Sequence, residues 1–223
     1  MQAQDTPHQP LESSAIRMAH LPTVFIVDDD PSVRKSVELL MQTAGWQVEP
    51  FCSAEEFLAR PRAMRPGCLV LDVSLPQLGG LALQEIIADR SEMPVIFVTG
   101  HRDIRTTVRA MKAGAVDFLT KPFSGPALLS AVRCALERSR HAVAHEAAIR
   151  ILKGRCASLS HREREVLGLV VTGLLNKQIG AELGISEITV KAHRGKVMRK
   201  MAADSLAELV NMATRLRVNA ATN

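Results

Sequence analysis

A group of acids, one hydroxyl and one lysine stand where short apolar runs end. Asp72 follows Cys68-Leu69-Val70-Leu71, and Asp28, Asp29 and Asp30 follow the run ending at Val27. Thr99 follows Val95 to Val98, and Lys121 comes shortly after Leu119. In an open parallel sheet the carboxyl ends of the strands line one crevice, so these side chains would meet there. Clustered carboxylates repel one another and stay ionised together most readily around a divalent cation. Magnesium suits them, because it takes hard oxygen ligands in an octahedron and keeps some of its water. A carboxylate placed in such a site can attack a phosphoryl group while the cation and a lysine neutralise the transferring oxygens.

Each piece alone has a plainer explanation. Asp28-Asp29-Asp30 before Pro31 also fits a solvated turn in which Asp30 caps the next helix. Thr99-Gly100 and Lys121-Pro122 fit ordinary loops. Their joint order along the chain is what points to one site, and that order requires particular elements. Strands are expected at Thr23–Val27, Gln47–Phe51, Cys68–Leu71, Val95–Val98 and Ala115–Leu119. Between them run amphipathic stretches such as Val33–Thr43, with Val33, Val37, Leu40 and Met41 at helical spacing. Five alternations of strand and helix predict an α/β, doubly wound, five-stranded parallel sheet, because parallel strands need long crossovers that cover both faces.

Residues 22–138 resemble the receiver domain of two-component response regulators. The resemblance rests on Val27-Asp28-Asp29-Asp30, Leu71-Asp72-Val73-Ser74-Leu75-Pro76 with Gly79-Gly80, Val98-Thr99-Gly100 and Lys121-Pro122-Phe123. The run Ala110 to Phe118 is similar to the FixJ subgroup. The resemblance implies a flavodoxin-like fold in which Asp72 accepts phosphate from a sensor histidine kinase. It implies magnesium held by Asp29, Asp72 and the Ser74 main-chain carbonyl, with Asp28 acting through water. Thr99 and Lys121 would stabilise the phosphate, Phe118 would be the aromatic switch, and the Lys121-Pro122 bond would be cis. Ser74-Leu75 replaces the more usual Arg-Met before Pro76, which bears on the rate of dephosphorylation.

From Pro126 to Leu152 the chain reads helical, with Leu129, Val132, Leu136, Val143 and Ile151 forming a stripe and Gly154 as its expected end. Residues 139–157 are read as a helical linker able to pair with a second copy. Beyond it, residues 158–218 read as four helices. Ser160 with Glu163 makes a capping box, so the first helix starts near His161 and ends at Gly173. Asn176 opens a second helix that stops at Gly184, Ser186 caps a third at Glu187–Met201, and a fourth spans Ser205–Leu216. A short helix, a glycine turn and a longer basic helix make a helix-turn-helix. On the third helix Val190, Val197 and Met201 share an inward arc, while Lys191, Lys196, Arg199 and Lys200 are expected to face phosphate.

This half resembles the LuxR-type module through Leu159 to Leu167, Asn176-Lys177-Gln178-Ile179, Gly184-Ile185-Ser186, Thr189 to Arg194 and Met198 to Met201. The resemblance implies that Lys191, Ala192 and Gly195 face base edges. Asn176, Lys177, Ser186, Thr189, His193, Arg194 and Arg199 would contact the DNA backbone, and the last helix would supply a dimer contact. Together the two resemblances imply a transcription regulator of the FixJ/NarL type, dimerising on phosphorylation, binding promoter DNA and touching RNA polymerase. No substrate turnover beyond self-catalysed transfer to Asp72 is expected. A protein-binding second module, or a receiver that never takes phosphate, would be the other readings; the basic helix speaks against the first and the full acid, hydroxyl and lysine set against the second.

Charge supports two modules. Residues 1–125 carry 12 Lys and Arg against 15 Asp and Glu, whereas residues 126–223 carry 16 against 8. An acidic module is thus joined to one that seeks nucleic acid. Residues 1–21 lack a basic start and an apolar core and read as a disordered lead-in rather than a signal peptide, and residues 219–223 as a tail. No apolar stretch is long enough to span a bilayer. Cys52, Cys68, Cys134 and Cys156 form no CxxC pair, which fits reduced thiols in a cytoplasm.

Overall fold

The computed structural model describes residues 21–100 and 104–216. The expected lead-in up to residue 20 and the tail 219–223 lie outside these. Five strands run β1 Thr23–Val27, β2 Gln47–Phe51, β3 Gly67–Asp72, β4 Val95–Thr99 and β5 Asp117–Thr120. The helices are α1 Pro31–Thr43, α2 Ala54–Ala59, α3 Gly80–Ile86, α4 Ile104–Lys112, α5 Gly125–Ala157, α6 His161–Val171, α7 Asn176–Leu183, α8 Glu187–Met201 and α9 Leu206–Arg215. The chain divides into two compact units, Met1–Ala144 and His145–Asn223.

In the first unit every strand pair is parallel and the order is β2-β1-β3-β4-β5. The central strands β1, β3 and β4 are buried along their whole length, as unbroken apolar runs in a parallel sheet must be. Successive side chains point to opposite faces. Phe25, Leu69, Leu71 and Phe97 therefore pack with Phe57 of α2, Leu83 of α3 and Ala110 of α4. Val24, Ile26, Val70 and Ile96 pack on the other face with Val37 and Met41 of α1 and Leu128, Val132 and Leu136 of α5. β1 and β2 have the expected bounds, β3 is one residue longer at each end, β4 runs on to Thr99, and β5 spans Asp117–Thr120 rather than Ala115–Leu119. Ala115 and Val116 lead into β5 after the Gly114 turn, whose φ of 90° is open to glycine.

Two polar side chains buried in this unit tie elements together. Ser139 of α5 accepts from the Gly67 amide at 2.9 Å and donates to the Glu92 carbonyl, linking the helix to the starts of β3 and β4. Gln84 of α3 donates from Nε2 to the carbonyls of Ala110 and Ala113, each at 3.3 Å, so it caps the C-terminal end of α4 from the neighbouring helix. The other end of its amide, Oε1, is buried without a hydrogen-bond partner.

The second unit holds the end of α5 together with α6 to α9 around Leu152, Val166, Leu167, Ile179, Val190, Val197, Met201 and Leu209. Local chemistry sets its boundaries. Ser160 and Glu163 form the capping box, Gly184 is left-handed at φ 65°, and the Ser186 and Ser205 hydroxyls accept the amides of Thr189 and Glu208. One expectation needs correction. Gly154 does not end α5, which continues to Ala157; a glycine in right-handed helical geometry costs only about 1 kcal/mol and stops nothing by itself. Ile151, on the stretch expected to be able to pair with a second copy, is exposed.

Candidate functional site

β1 and β3 are neighbours in the sheet although β2 lies between them in sequence, so the chain leaves β1 in one direction and returns on its other side. Such a reversal opens a crevice at the carboxyl ends of the strands. Asp28 lies just past β1 and Asp72 is the last residue of β3; both are buried, at 1% and 5% exposure. Lys121, just beyond β5, reaches across with Nζ 2.6 Å from Asp28 Oδ2 and 2.6 Å from Asp72 Oδ2. Asp29 is exposed, yet one carboxylate oxygen from each of Asp28, Asp29 and Asp72 lies within 4.8 Å of the others. Asp30 faces away as the N-cap of α1, accepting the Ser32 amide at 2.8 Å. Capping and site-building are therefore divided among the three consecutive acids.

The remaining backbone holds the carboxylates in place. Asp28 Oδ1 accepts the Asp30 amide at 3.0 Å, and Asp72 Oδ1 accepts the Ser74 amide at 2.9 Å. Arg34 of α1 donates to the Asp28 carbonyl at 2.6 Å. Gly80 lies so close to Asp72 that a Cβ would sit 2.2 Å from the Asp72 carbonyl oxygen, which accounts for the second glycine of the Gly79-Gly80 pair. Burial pushes the Asp28 carboxyl above its ordinary range, against the opposing pull of Lys121. Burial also works against the charge on Lys121, but the Asp28 and Asp72 carboxylates outweigh it and hold its pKa above the usual lysine value.

Thr99 ends β4 and is buried at 1% exposure, and its carbonyl accepts the Lys121 amide at 2.7 Å. Phe118 is half-buried on β5, its ring 6.2 Å from that of Phe97. The Lys121-Pro122 bond is cis. Beside the acids an open groove of about 570 Å³ is lined by Val33, Val37 and Leu40 of α1 with Lys121, Pro122 and Phe123. Three carboxylates facing one ammonium leave two negative charges, and all the free donors are hard oxygens. That charge and donor set fit magnesium.

The second unit presents α8 with Val190, Val197 and Met201 buried and Lys191, Ala192, Gly195, Lys196 and Arg199 exposed. Lys200 departs from the expected phosphate-facing set. Its ammonium is 2.6 Å from Glu163 Oε2 and donates to the Ser158 carbonyl at 3.0 Å, so it pins α8 to the start of α6. Lys200 holds the buried Glu163 carboxyl down to about 2. Among the residues expected on the DNA backbone, Arg194 donates to Asn176 Oδ1 at 2.7 Å, joining α8 to α7, and Ser186 lies 2.8 Å from the Thr189 hydroxyl. The Nδ1 of His193 is buried and unpartnered, and Lys177 sits in the first turn of α7. Lys191 pairs with Glu187 one turn earlier at 3.1 Å. Sequence reasoning missed the roles of Gln84, Ser139 and Lys200, since each depends on which neighbour an element meets.

Residues 24–133 match the response regulator receiver domain, and residues 157–213 match the luxR family of bacterial regulatory proteins. Nodulation protein W of Bradyrhizobium diazoefficiens is 50% identical over 198 residues, covering 88% of this chain and 87% of that protein. Transcriptional regulatory protein FixJ of Azorhizobium caulinodans is 46% identical over 191 residues, covering 85% and 90%. The solved structure of the response regulator StyR is 45% identical, with a TM-score of 0.78, and covers 87% of this chain and 99% of that one. Strand order, acid site, basic helix and relatives agree: the chain belongs to the two-component response regulators that join a receiver domain to a LuxR-type DNA-binding domain.

Proposed function

We propose that Asp72 is the phosphoacceptor and that its modification drives dimerisation and promoter binding. The observation that carries this reading is Lys121 held 2.6 Å from both Asp28 and Asp72 at the reversal point of the sheet. Asp72 would attack the phosphorus of a phosphohistidine on a sensor kinase; the new P–O bond forms as the P–N bond breaks, and its electron pair leaves on the imidazole nitrogen. Lys121 is already in place to follow the incoming oxygens. Magnesium, when bound by Asp29, Asp72 and the Ser74 carbonyl with Asp28 acting through water, supplies further charge neutralisation to those oxygens. The Thr99 hydroxyl then donates to the phosphate, and Phe118 turns inward.

In this reading the receiver spans residues 22–138, with packing that continues to Ser139, and residues 139–157 link it to a DNA-binding module at 158–218. Lys191, Ala192 and Gly195 face base edges, while Asn176, Lys177, Ser186, Thr189, His193, Arg194 and Arg199 serve the phosphates. The protein acts in the cytoplasm, meets RNA polymerase at promoters, and turns over no substrate of its own. Among the described residues no helix is long and apolar enough to cross a membrane. Labelling with acetyl phosphate and magnesium tests the chemistry. Asp72→Ala should abolish the label; a label that persists would show that another acid accepts the phosphoryl group.

A further inference from the structure

Helix α8 carries an apolar side chain that its own fold leaves uncovered. Ile188 is 80% exposed, more than any other large apolar side chain among the described residues. At about 100° per residue, Ile188, Ala192, Gly195 and Arg199 fall within roughly 60° of arc, opposite the buried Val190 and Val197. Ala192, Gly195 and Arg199 are exposed as well, so this arc is the centre of the outer face. After Ile188 the stripe becomes lean: Ala192 is a single methyl, and nothing lies within 4 Å of where a Gly195 Cβ would be.

Such a face lets the first turns of the helix approach a duplex closely and leaves Ile188 as the one bulky apolar group on the arc. The first turns of a recognition helix are the part that reaches base edges. Isoleucine can neither donate nor accept a hydrogen bond. On the major-groove edge of the bases its complement is the C5-methyl of thymine. We propose that Ile188 is a specificity-determining residue that packs on a thymine methyl and so selects thymine at one position of each half-site. This rests on the reading of α8 as the base-facing helix. Glu187 and Lys191 pair with each other at 3.1 Å to one side of Ile188, so a polar edge borders the apolar contact there.

The full chain is used to select half-sites from a random duplex pool, and each selected thymine is then replaced singly by deoxyuridine, which lacks only the methyl. One thymine per half-site should lose about fourfold in affinity, the value of one buried methyl-sized group. In Ile188→Ala that position should become indifferent to uracil, while the other positions keep their responses. Alanine is a better helix former than isoleucine, so unravelling of α8 cannot produce this pattern. Ile188→Val should retain part of the preference. The proposal is overturned if Ile188→Ala selects the same sequence with the same uracil profile, which would assign the side chain to a protein contact. If the wild-type pool yields no preferred sequence, α8 does not read bases and the proposal falls with that reading.

Discussion

The Lys191 ammonium, proposed to reach a base edge, is already engaged by Glu187. Its pair with Glu187 is exposed on both sides, 62% and 48%, and such a pair is worth less than about 1 kcal/mol, so a guanine edge displaces it readily. Lys191→Ala should cost on the order of 1–3 kcal/mol and relax the preference at one position per half-site. Arg199→Ala should instead weaken all sites alike and flatten the salt dependence by roughly one counterion per subunit. Footprinting of both variants over a salt series separates the two, and exchanged phenotypes would show the assignment reversed. At this scale the acid site was legible, because a carboxylate after an apolar run has few structural reasons to be there. Lys200 and Ile188 were not. A helical wheel gives an angle, and only the placement of α6 reveals that one basic residue faces a buried carboxylate while an isoleucine faces water.

Elements were legible where local chemistry terminates them. Asp30, Ser160, Ser186 and Ser205 cap their helices as their types suggest, and the Gly184 turn is left-handed. Gly154 misleads because a glycine ends a helix only when the chain turns there, and nothing in the flanking sequence states that it does not. The attachment of α8 to α6 yields a pH prediction. Lys200 lowers the Glu163 carboxyl from its ordinary 4.5 to about 2. A depressed carboxyl contributes stability that is complete above its unfolded value and is lost as pH falls through the folded one. In the native chain, hydrogen exchange of the α8 amides should therefore accelerate as pH drops from about 4.5 toward 2, after correction for intrinsic exchange. Lys200→Met should exchange faster at neutral pH and show a smaller further change across that window, since the Ser160 amide still donates to Glu163. Parallel curves for the two proteins would remove the ion pair from the account.

At the scale of the whole chain, the acidic first half and basic second half suit a phosphoryl-accepting module and a nucleic-acid one, and the division was readable from charge alone. A surface that could bring two copies together was less so. On α4, Ile104, Val108 and Met111 are 79%, 45% and 45% exposed at helical spacing, forming an apolar stripe on the element that follows Thr99. The sequence places this helix at Asp103–Ala113, and Asp103 lies outside the described residues. If phosphorylation pairs copies through this face, Val108→Glu should leave labelling of Asp72 intact and abolish the rise in sedimentation mass. A mass that still doubles would place the interface elsewhere. Two copies present two α8 helices, so target half-sites should lie about one helical turn apart.

The amide of Gln84 ties α3 to that same helix. Two neutral hydrogen bonds at 3.3 Å, each worth about 0.5–1.5 kcal/mol, secure the last turn of α4, and the exposed Arg109–Glu85 pair at 3.6 Å adds little to them. If these bonds are made only in the resting arrangement, a latch this weak would leave a standing minority of unmodified molecules in the switched one, and phosphate would shift an existing equilibrium. Gln84→Leu fills the same buried space without the two bonds. It should raise the dimer fraction of unphosphorylated protein roughly tenfold, as a change of about 1.4 kcal/mol requires. Sedimentation at matched concentrations reads that leak directly, and an unchanged fraction would mean that the resting position of α4 is set elsewhere.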